Sequence, residues 1–318
     1  MKTKLIIYPH ELDVGWIDKM ADLGVDTLGI HPEGGQKSHE KVAHDLSLFA
    51  DERFRATVDY AKSRGLSIEY ELHTARYLLP ALLFGEHPDW FRMNADGERV
   101  ADFNFCVSNA EAMDFVCHRA TELVDRLYGS SHDYFLWLDD VKGCFCHCPK
   151  CRALSPSDQN LTAMNAIAAA LRQKTPDARL AYLAYYECVT PPARVKPAVG
   201  IFLEYAPFER YYPRPIARPI DESDRTEIEA LFKVFDPQDA WILEYWFDNS
   251  YYTRRAESAS PIPFSPDNDR IKREIQWYVE RGARRISSFA CFLGKDYQAL
   301  HGAPDLSAFN KKSIGENA

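Results

Sequence analysis

The chain has 318 residues, 46% of them apolar and 27% charged, and a net charge of −9. This is the composition of a globular protein with one large domain or two small ones. The negative balance argues against an electrostatic nucleic-acid binder, and no apolar run approaches membrane-spanning length. The apolar run before Pro9 is only four residues long, too short for a signal-peptide core. A cytoplasmic chain is therefore expected, or an exported one whose leader has been removed.

In chain order, residues 4–8 form a first strand that ends at Pro9. Val14, Ile17, Met20 and Leu23 recur at spacing three and predict a helix over 11–23, stopped by Gly24. Residues 25–30 are a second strand, followed by a loop at 31–35; residues 51–64 are a helix that ends at Gly65. The third strand covers 66–73, where Ile68, Tyr70 and Leu72 alternate with Glu69, Glu71 and His73. A long irregular stretch, 74–108, carries a turn at 95–97. Ser108 and Glu111 have the spacing of a capping box, and the helix behind them shows Met113, Val116, Ala120, Leu123 and Leu127 on one face.

The fourth strand, Tyr134 to Leu138, is short, apolar and aromatic. A helix with Leu161, Met164, Ile167, Ala168 and Leu171 follows, then strands over 179–186, 200–205 and 240–246, a helix over 222–235, a helix over 267–281 and an eighth strand over 285–292. Eight strands that mostly alternate with helices predict an α/β fold: a single (β/α)8 TIM barrel with enlarged loops over residues 1–302, then a polar C-terminal tail, 303–318. A doubly wound sheet is the rival, but no Gly-x-Gly-x-x-Gly follows the first strand.

In such a barrel the site lies at the C-terminal ends of the strands. Those ends offer His31 and Glu33, Glu71 and His73, Asp139 and Asp140, Glu187, then Glu204, Tyr205, Glu209 and Arg210, and finally Glu244, Tyr245, Trp246 and Asp248. Acids dominate, aromatic residues sit among them, and no phosphate cradle is visible. Carboxylates accept from hydroxyls and ring faces stack on sugar C–H faces, so such a mouth suits a polyol, and paired carboxylates are the equipment of glycoside hydrolysis.

The adjacent acids Asp139 and Asp140 at a strand end favour function over a turn cap or a pair with Lys142. Glu244 follows the apolar run 240–243; a buried ion pair with an arginine such as Arg210 is its alternative. Glu71 and His73 face one side of their strand, where a satisfied core network is the alternative to a place in the mouth, and His31 is similar. Trp137 reads as packing.

Four of the eight cysteines crowd one loop: Cys144, Cys146, Cys148 and Cys151. In a reduced compartment a tight cluster suggests a metal before a disulfide, and four thiolates suit one structural zinc ion. A disulfide within the loop and free buried thiols are the other readings. Cys106, Cys117, Cys188 and Cys291 are scattered and read as small buried hydrophobes. No organic cofactor is called for.

The segment 138–151, Leu-Asp-Asp-Val-Lys-Gly-Cys-Phe-Cys-His-Cys-Pro-Lys-Cys, resembles the signature of a domain family of unknown function among the glycoside-hydrolase barrels. The segments 87–97, 205–212 and 243–248 are similar to further parts of that family. The resemblance implies relatedness to endo-β-N-acetylglucosaminidases and to α-glucuronidase and hexosaminidase barrels. The Asp139–Asp140 pair also resembles that of retaining hexosaminidases that use the substrate's own 2-acetamido group. By that resemblance Asp139 polarises the acetamido nitrogen and Asp140 is the acid/base, and a protein nucleophile, if used, would be Glu244.

The expected protein is thus a retaining glycoside hydrolase acting on an N-acetylhexosamine-containing or uronic-acid-containing glycan. His31, Glu71, His73, Glu204, Tyr205, Arg210, Tyr245, Trp246 and Asp248 would line its site. The expected partner is a carbohydrate, not nucleic acid or membrane. The alternatives are a barrel that binds glycans without cleaving them, and a metal-dependent enzyme using His31, His73 and the mouth acids.

Overall fold

The structure, a computed structural model, describes residues 1–33, 37–139, 141–210, 218–255 and 258–311. Gly34 and Gly35 of the predicted loop, Asp140, Tyr211 and Tyr212 of the 205–212 segment, and 312–318 of the predicted tail lie outside them.

Eight parallel strands close into a barrel in chain order: β1 (Lys2–Ile7), β2 (Thr27–Ile30), β3 (Ser67–His73), β4 (Asp133–Trp137), β5 (Arg179–Ala184), β6 (Ile201–Tyr205), β7 (Trp241–Glu244) and β8 (Arg285–Phe289). The predicted (β/α)8 fold is the one observed. Every expected strand is present, but several stop early: β5 by two residues, β7 by two and β8 by three against the predicted ends. The apolar residues beyond β7, Trp246 and Phe247, are buried outside the sheet with their rings against Phe309, so burial alone overstates strand length.

The helices are α1 (Val14–Leu23), α2 (Ser38–Leu48), α3 (Glu52–Ser63), α4 (Ala75–Leu78), α5 (Ala110–Val124), α6 (Pro156–Lys174), α7 (Glu222–Leu231), α8 (Asn249–Arg255), α9 (Asn268–Glu280) and α10 (Lys295–His301). No helix of the described residues is long and apolar enough to cross a membrane. α2, α4, α8 and α10 were not expected. Lys37, the N-cap of α2, makes no side-chain capping bond, so no start signal marks this helix in the sequence. The expected capping box at α5 is replaced by a single cap: Asn109 Oδ1 accepts from Ala112 N at 3.0 Å, and the Ser108 hydroxyl instead lies 3.0 Å from Cys151 Sγ. α6 does carry a capping box, Ser155 with Asp158.

The chain divides into two compact units, Met1–His31, Glu52–Glu69 and Glu204–Ala318 in one, and Pro32–Asp51 and Tyr70–Leu203 in the other. In the first, β2, β1, β8, β7 and β6 pair in register. Gly29 of β2 has no room for a side chain, because a Cβ there would stand 2.7 Å from Ile6 Cγ1. The interior of this unit holds a buried charge cluster, in which Lys4 Nζ lies 3.0 Å from Glu69 Oε2, 3.8 Å from Glu204 Oε1 and 4.4 Å from the Trp241 ring centre. Desolvated charges persist only when paired in this way. In the second unit β3, β4 and β5 pair, Phe135 meets Phe202 edge-on at 5.4 Å, and Tyr70 donates to the Tyr128 carbonyl at 2.8 Å.

Candidate active site

The β4 end of the second unit is built around Asp139. Its side chain is fully buried. Oδ2 accepts from the Asn104 backbone N at 2.7 Å, and Oδ1 faces Arg76 Nε at 3.3 Å. The link is reciprocal, since Asp139 N donates to Asn104 Oδ1 at 2.9 Å, and Asn104 Nδ2 donates to the Cys144 carbonyl at 3.1 Å. Asn104 adopts φ +48°, a left-handed conformation that Asn tolerates better than most residues. Arg76 is braced over the Phe103 ring at 4.6 Å. Among the described residues the carboxylate receives two of the roughly four hydrogen bonds it can accept. His73 Nδ1 donates to the Leu138 carbonyl at 2.6 Å and its ring meets Trp137 edge-on. Further along, Gly143 N donates to Glu187 Oε1 at 2.9 Å, which ties the β4 loop to the segment after β5.

The cysteines of that loop are all buried. The sulfurs of Cys146, Cys148 and Cys151 converge, but the fourth member of the group is Cys106, from the segment before α5; all four lie within 4.8 Å of one another, a geometry compatible with a structural metal. Cys144 stands apart, its thiol 3.4 Å from the Lys142 carbonyl, and burial pushes that thiol up to about 11. Cys106, expected as a small buried hydrophobe, is buried, and its sulfur also joins this group. Gln159 of α6 fixes the loop: its Oε1 accepts from Cys146 N at 3.0 Å, and its Nε2 donates to the carbonyls of Cys146, Cys151 and Leu154. Sequence reasoning missed Asn104, Arg76, Cys106 and Gln159. Only the asparagine between two phenylalanines at 103–105 hinted at an unusual backbone position.

In the first unit the expected residues separate by strand parity. Glu204 points inward to Lys4, whereas Tyr205, its neighbour, is fully buried with its hydroxyl 3.2 Å from Glu227 of α7. Glu244 is also fully buried and faces the helices. Its Oε1 accepts from Arg210 Nη1 and from the Tyr278 hydroxyl of α9, the latter at 2.6 Å. Arg210 Nη2 lies 2.6 Å from Glu274 Oε1, and Trp246 Nε1 donates to Glu274 Oε2 at 2.7 Å. Arg210 and Trp246 thus join Glu244 in one buried network and do not stand apart as binding groups. His31, Phe289, Tyr245 and Phe208 form a chain of ring contacts at 5.1–5.3 Å. Asp248 Oδ1 accepts from Ser250 N at 3.0 Å, and burial raises its carboxyl above the usual range. In the second unit, Glu71 is fully buried on β3.

Solved structures with a parallel eight-stranded barrel resemble this one, and several of them are glycoside hydrolases. The GH20 catalytic modules of the pneumococcal exo-β-D-N-acetylglucosaminidase StrH align at TM-score 0.52 and 11% identity, over 98% of this chain and 83% of that one. The cold-adapted β-galactosidase of Rahnella sp. R3 aligns at TM-score 0.54 and 13% identity, over 99% of this chain and 54% of that one. The O-GlcNAc hydrolase of Thermobaculum terrenum aligns at TM-score 0.51 and 10% identity, over 92% and 55%. The chain therefore spans just over half the length of the last two, and at these identities the likeness is one of fold. The family described as a domain of unknown function, DUF4838, matches residues 39–297, and the chain belongs to it. No curated protein matches the sequence.

Proposed function

We propose that the chain is a retaining glycoside hydrolase that acts on a glycan containing N-acetylhexosamine, with Asp139 and Asp140 as its working pair. The observation that carries this reading is the seat of Asp139, a carboxylate held at the end of a barrel strand by Asn104 and Arg76 with acceptor capacity to spare. The glycoside-hydrolase fold of the structural neighbours supports it. In the reaction, the substrate's acetamido oxygen attacks the anomeric carbon while Asp140 protonates the departing oxygen, and the glycosidic bond breaks. Asp139 accepts from the acetamido N–H and orients it. Asp140, now a carboxylate, removes a proton from the water that opens the cyclic intermediate with net retention. Asp139 belongs to the second unit. Glu71 and His73, on the neighbouring strand β3 of the same unit, are the polar groups proposed to line the strand end beside Asp139. Glu244 serves as the anion of a buried ion-pair network instead of as nucleophile.

The metal compatible with the cysteine group is, in this reading, one zinc ion. Four thiolates leave no open position on zinc, so it is structural and contributes no chemistry at the sugar.

The test is hydrolysis of aryl N-acetyl-β-hexosaminides and N-glycans. Wild type is expected to turn over at least one of them and Asp140→Asn to lose at least a hundredfold in kcat/KM. No turnover on a broad panel, or full activity in Asp140→Asn, would sink the proposal. One observation favours a second reading, a barrel that binds glycans without cleaving them: the Asp139 side chain is fully covered. Tight glycan binding with no product release would select it.

A further inference from the structure

Four sulfurs from two separated segments of the chain stand at distances with a specific meaning. Cys106 Sγ is 3.7 Å from Cys148 Sγ and 3.9 Å from Cys151 Sγ. A disulfide needs about 2 Å. A tetrahedron built on zinc–thiolate bonds of about 2.3 Å has an edge of about 3.8 Å. Cys146 completes the group within 4.8 Å of the others.

The surroundings supply donors, and they are aimed at sulfur. Met93 N donates to Cys146 Sγ at 3.3 Å and Cys151 N to Cys148 Sγ at 3.4 Å. The Ser108 hydroxyl is 3.0 Å from Cys151 Sγ, and Arg99 Nη1 is 3.9 Å from Cys146 Sγ. A backbone N–H can only donate, so the Cys146 and Cys148 sulfurs accept, and a thiolate accepts more strongly than a thiol. Four thiolates around a divalent ion leave a net charge of about −2, which the Arg99 guanidinium offsets in part.

We propose that Cys106, Cys146, Cys148 and Cys151 hold one zinc ion, with Cys106 in place of Cys144, and that the ion works as a mechanical clamp on Asp139. Cys106 lies two residues beyond Asn104, the residue whose backbone and side chain both bond to Asp139. The same Asn104 side chain bonds to the carbonyl of Cys144. The ion thus ties the segment that carries Asn104 to the loop that follows Asp139, and Gln159 braces that loop from α6. Asn104 is a positioning residue, and this role rests on the reading of Asp139 as a site residue.

The ligand set is tested by zinc content and by the absorption of the cobalt(II)-loaded protein, for wild type, Cys106→Ser and Cys144→Ser purified without chelator. Wild type and Cys144→Ser are expected to hold about one zinc per chain and to give the spectrum of a tetrahedral four-thiolate cobalt site. Cys106→Ser is expected to keep less than a tenth of its zinc in competition with a mild chelator. Wild-type zinc retention by Cys106→Ser, or loss by Cys144→Ser, overturns the ligand set; a metal-free wild type with four titratable thiols overturns the centre.

The clamp is tested by hydrogen exchange of the Asn104 and Asp139 amides, followed by NMR with and without zinc. Removal of zinc is expected to speed both at least tenfold while β1 and β8 amides stay protected. Unchanged exchange at Asn104 overturns the clamp, and so does loss of protection throughout the barrel, because the ion would then hold the whole fold. None of these readouts uses turnover. A zinc-bound chain that cleaves no glycoside would therefore refute the proposed function and leave the metal centre standing.

Discussion

Asn104 sits at φ +48°, where an ordinary L-residue loses roughly 1–2 kcal/mol to the clash of its Cβ with the backbone. Its side chain also makes two hydrogen bonds, one to Asp139 N and one to the Cys144 carbonyl. Substitution separates the two contributions. Asn104→Gly keeps the backbone conformation and loses the side-chain bonds, at a cost of about 1–3 kcal/mol. Asn104→Ala loses the same bonds and adds the left-handed strain, so it should be the less stable by about 1 kcal/mol. Urea unfolding of the two variants checks the order, and an alanine variant as stable as the glycine variant would show that the position carries no strain. At this scale only part of the site was legible in the sequence. The place of Asp139 just after β4 was legible because an acid that follows a short apolar run in a barrel chain falls at a strand end. Cys106 and Arg76 were not, because nothing local to either residue encodes which distant segment the fold brings to it.

Glu244 shows how an element reassigns a residue. Its place after an apolar run was legible, but its side of the sheet was not, since the run is continuous and shows no alternation. The structure sets it against α9, with Tyr278 and Arg210 as partners. Arg210→Met should cost about 3–5 kcal/mol, because it leaves the Glu244 and Glu274 carboxylates buried without their guanidinium. Glu244→Gln should lower stability while kcat/KM per folded molecule stays within about threefold of wild type, in contrast to Asp140→Asn. A hundredfold loss in kcat/KM at unchanged melting temperature would instead return Glu244 to the chemistry. The same logic explains the missed α2. Its apolar residues Val42 and Leu46 are present and buried, but the helix has no side-chain cap, and the sequence Gly34-Gly35-Gln36-Lys37 before it offers no capping side chain.

Over the whole molecule, closure of the barrel depends on joining the last strand to the first. β8 and β1 pair over five residues, and Ala290 N extends the ladder to the Ile6 carbonyl at 2.7 Å. Just beyond this seam, Glu11 accepts from Gly294 N at 3.2 Å. Burial pushes the Glu11 carboxyl from 4.5 up to about 7, and backbone hydrogen bonds only partly oppose the shift. The sign follows from proton binding. Between pH 4.5 and 7 the folded chain holds a proton on Glu11 that the unfolded chain has already released. The stabilisation from that proton is fully present below pH 4.5 and is lost as pH rises through 7, a change of about 3 kcal/mol. Glu11→Gln keeps the shape of the protonated side chain and cannot ionise. The variant should therefore gain on wild type as pH rises, with the difference in unfolding free energy between them growing by about 3 kcal/mol from pH 4.5 to pH 8. Urea titrations of both proteins at four or five pH values across about pH 4.5–8 measure that difference directly. A constant difference would mean that the carboxyl ionises at the seam without penalty, with the backbone donors of Tyr8, Phe292 and Gly294 offsetting the whole cost of burial.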